Sequence, residues 1–179
     1  MADVSAIFGI LLALGLAFPG LLVTVWLLFP ATVERAQRRL ELTPWRCFWL
    51  GGVLTAGLSL PVTVLLALPS GAAKFAGAAV IAVGLMSASI GAAGLAAKMG
   101  ARLTVHSPNL SGAGAFLRGA VALELAAFFP IVGWFIFLPL AVVLALGATA
   151  FALLHWAPRP SLAAQPPAVQ AQPAANPNA

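Results

Sequence analysis

Long apolar runs separated by short polar segments make up most of this chain. The runs cover residues 4–29, 45–68, 74–97 and 113–156. About 20 apolar residues in an α-helix cross the roughly 30 Å hydrocarbon core of a bilayer. The pattern therefore predicts an all-α, polytopic transmembrane helical bundle with four to five membrane helices.

The last apolar run is about twice the length of one span, and the sequence FFPIVGWF interrupts it. Two structures fit this run: a hairpin whose first arm, residues 113–129, is short, or a single long bent helix. Pro130, Gly133 and Pro139 lie close together at the interruption. Because proline breaks or kinks helices and glycine favours turns, the residues favour the hairpin.

The most polar stretch, ATVERAQRRLEL, follows the first apolar run. Glu34 and Arg38 are spaced as an i, i+4 pair, and apolar residues recur on the opposite face of the same helix. Those apolar residues are Val33, Ala36 and Leu40. The pattern predicts an amphipathic helix at the membrane surface, acting either as a solvated connector or as a binder of anionic lipid or of a partner. The arginines available for such binding are Arg35, Arg38 and Arg39.

The second apolar run begins with residues typical of a helix start at the membrane interface. Thr43 and Pro44 fit the N-cap and first helical positions. Trp45, Arg46 and Trp49 follow at once, and such aromatic and basic residues anchor helix ends among lipid headgroups. We therefore expect these three side chains to contact headgroups or a partner.

The third run is rich in small residues. Gly77, Gly84 and Gly91 recur every seven residues, and Ser87 precedes Gly91 by four. Small residues at such spacings let another helix backbone approach closely inside a membrane. The stripe predicts a helix-packing face, directed either within this subunit or toward another subunit.

The composition excludes an ordinary soluble protein. Hydrophobic residues make up 62% of the chain and charged residues 7%, whereas soluble domains carry about a quarter charged residues. A net charge of +5 would suggest nucleic acid in a soluble protein. Here the basic residues flank apolar runs, which indicates membrane orientation and headgroup contact, with no nucleic acid as a partner.

The basic residues also predict the orientation. They cluster on the first and third connections, around residues 35–46 and 98–118, and only Lys74 lies in the second. Positive loops stay cytoplasmic, which places the N-terminus outside and, with a hairpin, Arg159 and the C-terminus inside. Residues 1–156 form the membrane domain, and the Pro/Ala-rich residues 157–179 are expected to be a flexible or extended tail.

Glu124 is the one ionisable residue well inside an apolar run. A charge at the centre of a membrane helix costs about 2.5–3.5 kcal/mol, so such a group usually faces protein. It is either a proton or cation site, or a packing residue that faces Ser87, Ser89 or another subunit. A proton relay would need further ionisable groups, but no second acid, Lys or His shares the apolar interior.

Other side chains offer little chemistry. His155, beside Trp156, is an interfacial polar tip or, alternatively, an axial ligand of a haem or chlorin. Cys47 is the single cysteine, His106 lies in a loop, and the four acids are scattered at positions 3, 34, 41 and 124. No hydrolase, zinc-protease or phosphate-loop motif occurs. We therefore expect no enzyme, metal site or cofactor.

Two segments carry a family resemblance. FPATVERAQRRLELTPWRCFWLG contains FP, a basic amphipathic helix, proline and the start of a span, and GAFLRGAVALELAAFFPIVGWFIFLPLAVVLALGA reads as a closing hairpin. Both segments resemble the multi-span membrane regions of bacterial bactofilin-like, polymer-forming proteins. The resemblance covers residues 29–148, but the glycine-rich β-helical module is missing. It implies a membrane anchor or scaffold and transfers neither filament formation nor catalytic residues.

Together these features predict a non-catalytic anchor, scaffold or accessory subunit of a larger complex in the bacterial inner membrane. Its expected partners are other membrane subunits and anionic lipids, and a respiratory or photosynthetic complex is one candidate host. The alternative is a small transporter or channel that uses Glu124.

Overall fold

The computed structural model describes residues 2–104 and 111–154, which form six α-helices. A π-helical turn, Gly133–Phe137, leads into the last of them. The helices are α1 (Ala2–Leu28), α2 (Pro30–Leu42), α3 (Pro44–Ala67), α4 (Gly71–Thr104), α5 (Gly112–Phe128) and α6 (Leu138–Leu153). The described residues contain no strand, and the predicted all-α fold is confirmed.

Three of the described segments are long and apolar enough to cross a membrane: Pro44–Ala67, Gly71–Thr104 and Gly133–Leu153. Residues Gly15–Leu28 and α2 meet at 107° and add a fourth span if the bent pair is counted as one. At about 1.5 Å per residue, the 17 residues of α5 are shorter than the hydrocarbon core. The chain is thus a multi-pass helical bundle with three or four spans by this measure.

The last apolar run is divided into two helices, as the hairpin predicts. Helix α5 ends at Phe128, and the chain turns before the π-helical segment begins at Gly133. A Cβ added at Gly133 would lie 2.6 Å from the carbonyl oxygens of both Ala126 and Ala127. Only glycine therefore fits this turn. Beyond it, α5 packs mainly against α4, whereas α6 packs against both α3 and α4.

Helix α2 lies on the bundle, where it contacts α4 and α6. Pro30 occupies its first position, and the chain changes direction at Phe29 between α1 and α2. Its apolar residues Val33, Ala36 and Leu40 are buried, as expected for one face of an amphipathic helix. Protein covers that face.

Two groups of buried residues form the core, and α2 contributes to both. One group joins α1, α2, α4 and α5, and consists of Leu22, Val33, Ala93, Ala96, Phe116, Ala120 and Leu123. The other joins α2, α3 and α6, and consists of Ala36, Leu40, Cys47, Ala148 and Ala152. The densest packing therefore lies beneath α2, at one end of the bundle.

The second half of α3 and the first half of α4 are packed differently. Between residues 52 and 87 only Gly77 is buried, and a Cβ on it would lie 3.2 Å from the side chain of Leu66. These two half-helices, which we call the α3/α4 hairpin (residues 52–87), contact each other but extend away from the buried core.

Candidate functional site: the basic end of the bundle

Charged side chains concentrate on α2 and around it. Along the exposed face of α2, Arg38 donates to Glu34 over 2.7 Å, and Gln37 donates to Glu41 over 3.0 Å. Both pairs have the i, i+4 spacing that favours a helix. The side chains of Glu34 and Arg38 remain mostly exposed, so this pair adds little to stability.

Two basic side chains hold α2 in place by donating to the ends of helices. Lys98 of α4 donates from Nζ to the carbonyl oxygen of Leu40 over 2.6 Å, in the last turn of α2. Arg35 donates to the carbonyl oxygen of Ala152 over 3.0 Å, in the last turn of α6. The last carbonyls of a helix lack backbone donors and carry partial negative charge. Lys98 therefore joins α4 to the last turn of α2, and Arg35 joins α2 to the last turn of α6, by donating to carbonyl groups that lack a backbone donor.

Arg39 is directed inward. It is 5% exposed, and its guanidinium carbon lies 4.8 Å from the ring centroid of Phe151 on α6. A guanidinium over an aromatic face gains cation–π attraction, which increases when water is excluded. Cys47, also buried, belongs to the same α2, α3 and α6 contact region. Arg39 therefore helps to join α2 to α6.

The start of α3 carries an exposed aromatic group. Pro44 is the first residue of α3 and Thr43 its N-cap residue, but the Thr43 hydroxyl donates back to the carbonyl oxygen of Arg39 over 3.4 Å. Trp45 and Trp49 are 67% and 59% exposed, and their rings meet edge to face with centroids 5.9 Å apart. Arg46 lies between them and is exposed.

The basic residues of distant segments converge at this end of the molecule. Of the nine Lys and Arg residues, seven lie on α2, the start of α3, the last part of α4 or the first part of α5. These seven are Arg35, Arg38, Arg39, Arg46, Lys98, Arg102 and Arg118. The contacts between Lys98 and Leu40 and between Arg35 and Ala152 show that α2, the end of α4 and the end of α6 meet here. Lys74 lies at the start of α4, at its opposite end.

The small residues predicted as a packing stripe lie in different surroundings. Gly91 lies against α6, where a Cβ would overlap the carbonyl group of Ala145, and Gly77 lies against Leu66. Ser87 accepts a hydrogen bond at its backbone oxygen from Thr149 over 2.7 Å. A Cβ on Gly84 would have nothing within 4 Å. Three of the four residues thus contact neighbouring helices of this subunit, while Gly84 faces open space.

Helix contacts about as close as that of Gly91 occur at glycines that the sequence analysis did not single out. Cβ atoms on Gly51 and Gly147 would overlap backbone atoms across the α3 and α6 contact, and those on Gly100 and Gly119 would do so across α4 and α5. A small residue stands four positions before three of them, in the pairs Cys47 and Gly51, Ala96 and Gly100, Ala115 and Gly119. The small-x-x-x-small spacing was therefore available as a signal.

Glu124 is 7% exposed on α5 and faces α1. A Cβ added at Gly15 would lie 3.6 Å from its Oε1 atom. The two serines considered as its neighbours use their hydroxyls within α4, because Ser87 donates to Val83 and Ser89 donates to Met86. Among the described residues, no three His, Cys, Asp or Glu side chains come together as a metal site.

A cavity of about 310 Å³ lies among α1, α2, α4 and α5. Its lining consists of Trp26, Gln37, Ala97, Ala101, Thr104, Gly112, Ala115 and Phe116. The rings of Trp26 and Phe116 stack with centroids 4.9 Å apart. Among the described residues, this lining is mainly apolar and includes no titratable side chain.

Three predicted features lie outside the described residues: His106, His155 with its alternative as a haem or chlorin ligand, and the tail of residues 157–179. Their sequence-based interpretations stay predictions.

The helices, their apolar surfaces and the basic end define a class, that of all-α multi-pass membrane proteins. Compared with known protein families, curated proteins and solved structures, the chain matches none. The resemblance to the membrane regions of bactofilin-like proteins therefore stays a prediction from the sequence.

Proposed function

We propose that this protein is a non-catalytic anchor, scaffold or accessory subunit of a larger membrane complex in the bacterial inner membrane. The main support for this proposal is the exposure of the α3/α4 hairpin, in which only one residue between positions 52 and 87 is buried. Lipid tails are as apolar as leucine, so helices in a membrane associate through close packing and hydrogen bonds. A hairpin with little packing inside its own subunit offers its surface to helices of other subunits.

The outward glycines of this hairpin support a protein partner. Cβ atoms on Gly57 of α3 and Gly84 of α4 would have nothing within 4 Å. Glycine inside a helix is less favourable than alanine by about 1 kcal/mol, and close approach of a second backbone compensates for that cost. Helix α3 also contains Pro61, and neighbouring helices help satisfy the backbone groups that a proline frees within a membrane.

Mild detergent extraction followed by blue-native electrophoresis and mass spectrometry tests this function. We expect a reproducible heteromeric complex that Gly84→Leu disrupts. Gly20→Leu is the matched control, because it replaces another open glycine, on α1, and should leave the complex intact. A monomer or homo-oligomer alone, or equal effects of the two substitutions, would contradict the proposal.

The proposed orientation places the basic end in the cytoplasm. Seven Lys and Arg residues lie at that end, with the end of α6, from which the chain continues toward the tail. Cytoplasmic segments of membrane proteins carry an excess of Lys and Arg. This supports an outside N-terminus and a cytoplasmic C-terminus.

A second candidate function is a small transporter or channel, and the burial of Glu124 favours it. Ionisable residues inside membrane helices often mark ion or proton pathways. Proton and cation flux into liposomes, measured for the wild type and for Glu124→Gln, decides between the candidates. Flux that the substitution abolishes supports transport, and flux that stays unchanged ends that candidate.

A further inference from the structure

Six of the seven cations at the basic end fall into two sets that the sequence does not distinguish, and the seventh, Arg38, pairs with Glu34. Arg35 and Lys98 donate to the last turns of α6 and α2, and Arg39 is buried over Phe151. The side chains of Arg46, Arg102 and Arg118 are exposed. We call the first set the inward cations and the second set the outward cations.

We propose that the outward cations Arg46, Arg102 and Arg118 bind the phosphate groups of anionic phospholipids, and that the inward cations of α2 do not. The proposal changes the expectation that Arg35 and Arg39 make the headgroup contacts. Arg39 is buried over a ring and has to leave it before it can bind a phosphate. Arg35 already donates from Nε and Nη1 to the carbonyl oxygens of Ala31 and Ala152, which leaves fewer donors for a phosphate. Exposed guanidinium groups bind a phosphate without that loss, and they can do so with two donors each.

The positions of the outward cations fit the headgroup layer. Arg46 lies in the first turn of α3, Arg102 in the last turn of α4 and Arg118 in the first two turns of α5. Trp45 and Trp49 flank Arg46 and are exposed. Tryptophan prefers the boundary between hydrocarbon and headgroups, so Arg46 stands at phosphate level. Arg102, in the last turn of α4, and Arg118, in the first part of α5, lie at the same end of the bundle.

Charge complementarity selects the lipid. The outward surface of α2 has no net positive charge, because Arg38 pairs with Glu34 and Glu41 is exposed on the same helix. The outward cations bring net positive charge that zwitterionic phosphatidylcholine does not neutralise, whereas phosphatidylglycerol carries one net negative charge. The attraction of a basic residue near an anionic membrane surface corresponds to about a fivefold preference per residue. This inference goes beyond the proposed function, since it needs the bilayer and no partner subunit.

The test uses the purified full-length protein in vesicles that contain phosphatidylglycerol and phosphatidylcholine in equal amounts. After extraction in mild detergent, native mass spectrometry counts the lipids of each kind that stay bound. We expect the wild type to retain phosphatidylglycerol preferentially. The triple variant Arg46→Gln, Arg102→Gln, Arg118→Gln should lose most of this preference, by about fivefold for each arginine replaced, with an unchanged Tm.

Two controls make the result specific. The double variant Glu34→Gln, Arg38→Gln removes an exposed pair on α2 without changing the net charge, and it should keep the preference. Arg35→Gln should lower the Tm and keep the preference. A triple variant that still selects phosphatidylglycerol would overturn the proposal, as would a folded Arg35→Gln protein that has lost the selection.

Discussion

Gly51 of α3 and Gly147 of α6 face each other so closely that neither position has room for a Cβ. A Cβ on Gly51 would overlap the carbonyl oxygen of Val143, and a Cβ on Gly147 would overlap that of Cys47. Both obstacles are backbone atoms, which cannot move aside as a flexible side chain can. The two helices therefore pack backbone to backbone at this point.

The first prediction follows from that contact. Gly51→Ala should destabilise the protein by about 1–3 kcal/mol, because overpacking forces the helices apart. The neighbouring Gly52→Ala is the matched control: a Cβ there meets nothing within 4 Å, and replacing a helical glycine should raise stability by about 1 kcal/mol or less. Thermal unfolding in detergent measures both. Equal Tm values for the two variants would show that α3 and α6 are not in this contact.

A second prediction concerns the hydrogen bond between α6 and α4. Thr149 is buried, and its hydroxyl donates to the carbonyl oxygen of Ser87 over 2.7 Å. Hydrogen bonds between membrane helices contribute about 0.6 kcal/mol on average and at most about 1.7 kcal/mol. Thr149→Val should lower stability by that amount, whereas Thr149→Ser should keep the bond. A valine variant as stable as the serine variant would exclude a contribution from this bond.

A third prediction addresses how α2 is held. Lys98→Met keeps much of the apolar side chain and removes the donor to Leu40, and a hydrogen bond from a charged group contributes about 1.5–3 kcal/mol. We expect faster hydrogen exchange in α2 than in the wild type, because its last turn loses an anchor. Lys74, like Lys98, lies on α4, and it is exposed. The control variant Lys74→Met should therefore leave the exchange of α2 unchanged. Unchanged exchange in the Lys98→Met variant would show that its hydrogen bond to Leu40 does not hold α2 in place.

The proposed orientation gives a fourth prediction. Ala72 in the first turn of α4 and Ala113 in the first turn of α5 are exposed. The native Cys47 is buried, which keeps background labelling low. With a membrane-impermeant maleimide on intact cells, Ala72→Cys should label, and Ala113→Cys should label only after lysis. The reverse pattern would invert the orientation. Labelling of both from outside would mean that α4 does not cross the membrane.

The apolar runs predicted the helices because about 20 consecutive apolar residues permit few other structures. Pro130 and Gly133 likewise predicted the break in the last run, since each acts locally on the backbone. The face of α2 was also predictable from the spacing of Val33, Ala36 and Leu40. What covers that face was not, because lipid and protein select the same apolar residues.

Arg39 shows where the sequence pattern fails. An arginine beside Arg38 on an amphipathic helix indicates a solvated or headgroup-bound side chain, yet Phe151, distant in sequence, covers it. Gly84 and Gly91 show the same limit. Both fit one seven-residue repeat, but only Gly91 meets another helix in this subunit. Spacing along one helix tells which residues share a face, and contacts between helices decide which part of that face is covered.

The central claim is that this chain is a helical bundle embedded in a membrane. Washing cell membranes with alkaline carbonate and then measuring the protein in pellet and supernatant tests it most directly. We predict that the full-length protein stays in the pellet and enters solution only with detergent. A folded, monodisperse protein in the detergent-free supernatant would contradict the claim.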